Sequence, residues 1–474
     1  MHKPWHSLLF VIILFLAFGL LSFSFPKNGI NLSTRISLNF PTLATLFETK
    51  FHKKDISKIL AIADAMDTTN NLVDTTSNNL KDTTVKLINT LQYKNKLVLK
   101  NFFDALTQLK TNPKSIRVLH YGDSQIEGDR ITDYLRLKLQ AIFGGSGVGL
   151  ISLMPVAPSI STKITYNTNW DRYGVFVAKD KRVKHSNYGA LAGFNRFVSY
   201  KVVNDSSGII TSDVKITTTK LGGGNTTAYK KVKLFYGGSQ TKTWCEFYDG
   251  PALVSADSLN AGGYLHLKEY NVGQGSLTHE FKFKGKDSPD FYGVSLESDN
   301  GVIVDNIGLR GSSGTFFHQI NFAQLKQFYD YLNVKLIILQ FGGNVMPSIK
   351  SDAMAVNYAN YLRNQINIVK KAAPNASIIF IGPADMSVKE GTEYVTHPYL
   401  EATRDAIKKV AIESDCAFFD IYDCMGGKNS MSTWVEQKIA ATDYIHFSPQ
   451  GARKIATFFY SSLINEYNAY LKNK

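Results

Sequence analysis

The chain predicts an α/β fold in which a parallel sheet, covered by helices on both faces, is interrupted by an antiparallel β-sandwich. Three observations carry that prediction. After about residue 301, mostly apolar runs such as "VKLIILQFGG", "ASIIFIGPAD" and "CAFFDIYD" alternate with amphipathic helical stretches. Parallel strands buried on both faces read as nearly continuous apolar runs. Between about Ala157 and Asn300 the pattern changes to short alternating segments, among them "STKITYN", "RFVSYKVV", "SDVKITTTK", "KKVKLFYG", "TWCEFYD", "GYLHLKEY" and "LTHEFKFKG". Gly, Asn, Asp and Ser clusters separate them, which is the pattern of a sandwich or jelly roll. Finally, 474 residues exceed what one core usually serves, so more than one domain is expected.

Taken in order, the chain opens with an uncharged, largely apolar stretch from Ser7 to Phe25. That is close to the roughly 20 residues a helix needs to span a bilayer. No small-x-small cleavage site follows it, so residues 1–27 read as a signal anchor, with a removed signal peptide as the alternative. Either way the remainder is exported. Residues 28–95 read as a stalk or tethering linker. Asp-Thr-Thr recurs at Asp67, Asp74 and Asp82 at near-heptad spacing, but Asn and Thr are poor helix formers. Residues 96–156 form the first part of the α/β unit: the amphipathic "KNFFDALTQLK", the strand "SIRVL", and the helical "RITDYLRLKLQAIF". Residues 157–300 are the inserted sandwich. Residues 301–474 complete the α/β unit, with helices over "VNYANYLRNQINIVKKA" and "HPYLEATRDAIKKVAIES" and a closing helix over "SPQGARKIATFFYSSLINEYNAYL".

A net charge of +14 favours anionic partners. Lysines are spread along the whole chain, with no basic–aromatic cluster and no recognition motif, so nucleic acid is not an expected partner. An anionic envelope surface accounts for the balance as well. Three cysteines are too few for a disulfide framework, although Cys416 and Cys424 are close enough in sequence to pair. The histidines show no metal-ligand spacing, so neither a metal nor a cofactor is expected.

Chemistry gathers at the carboxyl ends of strands in open parallel sheets. Four such ends carry unusual residues here: Gly122-Asp123-Ser124, "DNIGLRGSSG", "LQFGGN" and "ATDYIHFSPQGARK". Ser124 alone is either a helix cap or a nucleophile. As a nucleophile it needs a base, and His446 suits, with Asp443 three residues earlier placed to reach the imidazole Nδ1–H. A tetrahedral oxyanion needs donors: the Ser124 N–H, a glycine N–H, and the Asn344 amide.

In order and setting these residues resemble the SGNH (GDSL-type) serine hydrolases: "GDSQ" is similar to block one, "GLRG" to block two, "GGN" to block three, and "DYIH" to the Asp-x-x-His of block five. The resemblance covers about Phe102–Pro155 and Val302–Tyr470. It implies a flavodoxin-like sheet, catalytic roles for Ser124, Asp443 and His446, and an oxyanion hole of Ser124, Gly311 and Asn344, with Gly308 as the rival glycine. It is nearest to envelope esterases that remove O-acetyl groups from peptidoglycan. Those carry an insertion similar to a carbohydrate-binding module. The implied partners are an acylated glycan, peptidoglycan or another polysaccharide, and a membrane engaged by the N-terminal segment. The implied location is the periplasmic side of the inner membrane, or outside the cell if the leader is removed. Gln125, Gly343 and Val345 depart from the family pattern and bear on substrate. Two other functions fit the same residues: an O-acyltransferase working with a membrane acyltransferase partner, and a tethered glycan-binding protein without activity. Aromatics of the insertion, Trp170, Tyr173, Trp244 and Tyr248, either stack on sugars or fill its core. His120, on the strand before Ser124, reads as structural.

Overall fold

A computed structural model describes residues 4–26, 29–32, 37–42, 54–68, 90–175, 180–200, 208–273 and 275–474. Its centre is a five-stranded, all-parallel sheet: β1 (Ser115–Gly122), β2 (Gly301–Gly308), β3 (Val334–Gln340), β4 (Ser377–Ile381) and β5 (Ala417–Phe419), in spatial order β2-β1-β3-β4-β5. This is the flavodoxin-like order, whose crevice opens where the winding reverses between β1 and β3. Period-two alternation explains why the strands are mostly apolar on both faces. Leu336 and Ile338 of β3 pack with Phe102, Leu135, Ile455 and Phe459 from helices on one face. Ile337 and Leu339 pack with Phe328, Leu362 and Ile407 from helices on the other. Each strand residue therefore meets a helix, and none can be polar without a partner.

The insertion is two antiparallel sheets. One runs, in spatial order, Ala252–Leu259, Thr243–Asp249, Thr278–Gly285, Ile210–Thr218, Thr162–Tyr166; the other is centred on Lys231–Gly237 and Asp290–Glu297. Their shared core holds Trp170, Phe247, Phe281, Phe283 and Phe291. Trp170 and Tyr173 are thus interior residues, whereas Trp244 is exposed. The strands differ from the sequence reading in three places. Gly149–Ile151 already pairs with Asp290–Glu297, so the sandwich begins before residue 157. Ala252–Leu259 is a largely exposed edge strand, and without a buried face it leaves no alternation to read. Pairing in "RFVSYKVV" stops at Arg196; residues 201–207 lie outside the described residues.

The sandwich is seated on the α/β unit. Phe235 and Tyr292 point out of it onto Phe328, with ring centroids 5.1 and 5.8 Å away. Beneath them a buried ion-pair cluster spans the seam. Arg117 of β1 donates to Asp305 of β2 at 3.0 Å, to Ser295 at 3.1 Å, and to Glu297 of the sandwich. Asp305 also accepts the Leu150 N–H at 2.7 Å.

The stretch read as a stalk needs correction where it is described. Ser57–Thr68 is a helix lying against the closing helix Pro449–Lys472, with Ile56, Ile59 and Ala63 buried. Asp64 pairs with Lys454 at 2.6 Å and Asp67 with Arg453 at 3.1 Å. Gln92 then forms an antiparallel bridge to Phe418 at the edge of β5. The apolar positions of "ISKILAIADA" recur at helical spacing, and the poor helix formers lie farther along. Asp74 and Asp82 fall outside the described residues. At the N-terminus, Trp5–Ser24 is a helix long and apolar enough to cross a membrane. The three cysteines are buried, and no disulfide joins Cys416 to Cys424.

Candidate active site

Ser124 is the second residue past the end of β1, and Asn344 lies just past β3, so both face the crevice at the winding reversal. Asp443 and His446 sit in a tight loop before the closing helix. That loop is closed by the Ala441 N–H donating to the His446 carbonyl at 2.8 Å, and Tyr444 takes a left-handed φ of 60° within it. The sequence-predicted residues meet here. His446 Nδ1 is 2.7 Å from Asp443 Oδ2, and Nε2 is 2.8 Å from Ser124 Oγ. A carboxylate only accepts, so Nδ1 carries the proton, which leaves Nε2 bare to accept the serine O–H. Asp443 Oδ1 takes the backbone N–H groups of Ile445 and His446 at 2.9 and 3.0 Å. Partial burial raises this carboxyl, but those N–H groups and the imidazole outweigh it and hold the group below the ordinary carboxylate value. The arrangement can deprotonate a serine hydroxyl as it attacks a carbonyl.

Asn344 is placed less simply than the sequence implies. Its Nδ2 donates to Asp123 Oδ2 at 3.0 Å and to the Ser312 carbonyl at 3.2 Å. Gly311 lies in the turn closed by Ser312 N–H to Leu309 carbonyl, with φ of 80°, one residue before the carbonyl that receives Asn344. Neither Gly311 nor Gly308 lines the small cavity, about 150 Å³, that contains Ser124, His446 and Asn344. Gly308 instead lines a separate cavity toward the sandwich.

Three functional residues escaped the sequence reading. Asp123 is buried beside the serine. Burial pushes its carboxyl up to about 6, against the Gln125 N–H and the Asn344 amide, which favour the charged form. Gln125, noted only as a departure from the family pattern, joins the two halves of the site. Its Nε2 donates to the Ile445 carbonyl at 2.7 Å and its Oε1 accepts the Phe447 N–H at 3.3 Å. Arg130 donates to the Ser124 carbonyl at 2.7 Å and to the Phe447 carbonyl at 3.4 Å. The only signal for these was their closeness to Ser124; Asn344 lies 221 residues on from Asp123, and the distant partners of Gln125 and Arg130 lie more than 300 residues on.

His120 is fully buried, between Thr132 Oγ1 at 3.0 Å and Gln340 Oε1 at 3.1 Å. Burial lowers its pKa to about 4, so it is a neutral structural residue.

A sequence profile of the GDSL-like lipase/acylhydrolase family matches residues 274–454. That stretch carries Asn344, Asp443 and His446; Ser124 lies upstream, on the far side of the insertion. No curated protein matches significantly. Among solved structures, a peptidoglycan O-acetylesterase aligns over 80% of this chain and 99% of its own, with 20% identity and a TM-score of 0.61. At that identity the likeness is one of fold, and it spans the sandwich as well as the α/β unit. A family two carbohydrate esterase from Clostridium thermocellum, solved with cellohexaose, aligns over 65% of this chain and 99% of its own, at 11% identity and a TM-score of 0.25.

Proposed function

We propose that this chain, which carries an SGNH/GDSL-type serine ester hydrolase domain, is an exported esterase that removes O-acetyl groups from a cell-envelope or extracellular glycan. The observation behind the proposal is the unbroken hydrogen-bond chain Asp443–His446–Ser124. Ser124 Oγ attacks the ester carbonyl while His446 Nε2 takes its proton. The tetrahedral intermediate collapses as His446 returns that proton to the departing sugar oxygen, leaving acyl-Ser124. Water, deprotonated by His446, then releases the acid and restores the serine. Asp443 keeps the imidazole in the productive tautomer. The oxyanion is held by the Ser124 N–H and by Asn344, which exchanges its longer bond to Ser312 for the developing charge.

The small cavity at Ser124 is of a size for a short acyl group, which favours acetyl. The apolar N-terminal helix supports export and a membrane tether. Release of 4-nitrophenol from its acetate tests the reading directly. Ser124→Ala should abolish it while leaving the fold intact, and wild-type turnover in that variant refutes the assignment.

A further inference from the structure

We infer that a groove beside the Ser124 cavity holds the glycan part of the substrate, and that it takes an uncharged oligosaccharide. The inference rests on the esterase reading for its role, but the groove stands on its own geometry. The loop after β3 separates two depressions. Gly343, Asn344 and Pro347 line the Ser124 cavity, and Val345, Ser348 and Ile349 line a groove of about 650 Å³ on the other side. The two are therefore neighbours across one loop. The groove floor includes Tyr358, whose Oη donates to the Ser313 carbonyl at 2.7 Å, next to the Ser312 carbonyl that receives Asn344.

The far wall is the helix Asp352–Ala372. Met354, Asn357, Tyr358, Tyr361, Asn364 and Gln365 line the groove from this helix. Their spacing of three and four places them on one face. Asn357 and Asn364 are about 10 Å apart along the axis, with Tyr361 between them. Tyr361 is 63% exposed and lines the groove. Gln365 is occupied with His318, at 3.2 and 3.3 Å. The side chains of Asn357 and Asn364 make no hydrogen bond among the described residues, so their amides are available.

No Lys, Arg, Asp or Glu lines the groove, in a chain whose formal charge is +14. A phosphate- or carboxylate-rich ligand would find no counter-charge in it. An aromatic face flanked by primary amides suits sugar rings: the C–H faces stack on the ring and the hydroxyl or acylamino groups bond to the amides. The acyl group would enter the small cavity while the sugar chain crosses the loop and lies along the helix.

The test uses the full chain and the double variant Tyr361→Ala/Asn364→Ala. In calorimetry, wild type should bind chitotetraose and the double variant should bind at least tenfold more weakly, with Tyr361→Phe close to wild type. With O-acetylated chitotetraose as substrate, kcat/KM should fall at least tenfold further than with 4-nitrophenyl acetate, the change residing in KM. Absence of chitotetraose binding by wild type overturns the inference, as does unchanged binding by the double variant or tighter binding of acidic oligogalacturonate. These outcomes separate from failure of the esterase reading, which is decided by Ser124→Ala on the nitrophenyl ester. The binding measurement judges the groove in either case.

Discussion

The open end of the parallel sheet and the seam beneath the sandwich both concentrate polar side chains, but they spend them differently. At the sheet end, Ser124, Asn344 and His446 line a cavity, with Asp443 behind the imidazole. At the seam, Arg117, Asp305 and Glu297 are almost wholly enclosed and pair with one another, although Asp305 Oδ2 keeps no hydrogen bond. In the first group, Ser124 and Asn344 come from loops that follow strands and Asp443 and His446 from the loop before the closing helix, where no strand ladder competes for them. The second comes from strand interiors, where alternation forces every residue into one packed face or the other. A polar residue inside a strand must therefore find a partner within the protein, whereas one just past the strand can be left for a ligand.

That contrast predicts where a substitution costs activity and where it costs stability. Ser124→Ala should lower kcat on an acetyl ester by about 10⁴-fold or more with an unchanged unfolding midpoint. A parallel loss of stability would place the serine in the structural class. Arg117→Ala should do the reverse, destabilising by roughly 3–5 kcal/mol in urea unfolding because it strands buried carboxylates. Activity per folded molecule should be retained at low temperature.

Asp123 stands between the two classes, a buried carboxyl beside the nucleophile. Its folded pKa of about 6 lies above the ordinary 3.8, so the native state holds a proton that the unfolded chain releases. The stability from that proton is present at low pH and lost as pH rises from about 4 through 6. Asn at this position does not titrate. The unfolding free energy of Asp123→Asn relative to wild type should therefore rise by up to about 3 kcal/mol between pH 4 and 7; a pH-independent difference rejects the account. The smallest effect is expected at Gln125. Gln125→Ala removes two bonds between the serine and histidine loops and should cost about 1–2 kcal/mol, read as a roughly tenfold fall in kcat with the Ser124→Ala background unaffected.

The same contrast explains what could be read from the sequence. Strands β1 to β4 are recognisable because both faces are apolar and helices of clear periodicity follow them. The motif residues are recognisable because they interrupt that pattern at its ends. Arg117 and Asp305 interrupt it too, but a single charge within "SIRVL" or "GVIVDNIG" carries no sign of a partner far away in sequence. Gln125 and Arg130 were hidden for the same reason: their role is defined by carbonyls of residues 445 and 447. The helix Ser57–Thr68 was masked by its neighbours, since a repeat rich in Asn and Thr dominated the reading of the whole stretch. Asn344 stands out in the sequence as a polar residue past a strand end, yet its bond to Asp123 depends on a burial that one-dimensional spacing does not encode.

The docking of Ser57–Thr68 against the last helix also sets a length scale. At the other end, the described residues after the apolar helix fold back on it: Ile30–Asn31 pairs with Ser37–Leu38, and Ser22 Oγ donates to the Pro41 carbonyl at 2.8 Å. Counted along the sequence, residues 43–53 join that hairpin to the docked segment, and covalent geometry limits a stretch of that length to about 40 Å. An enzyme anchored by the apolar helix, as proposed above, would therefore work within a thin layer next to the bilayer.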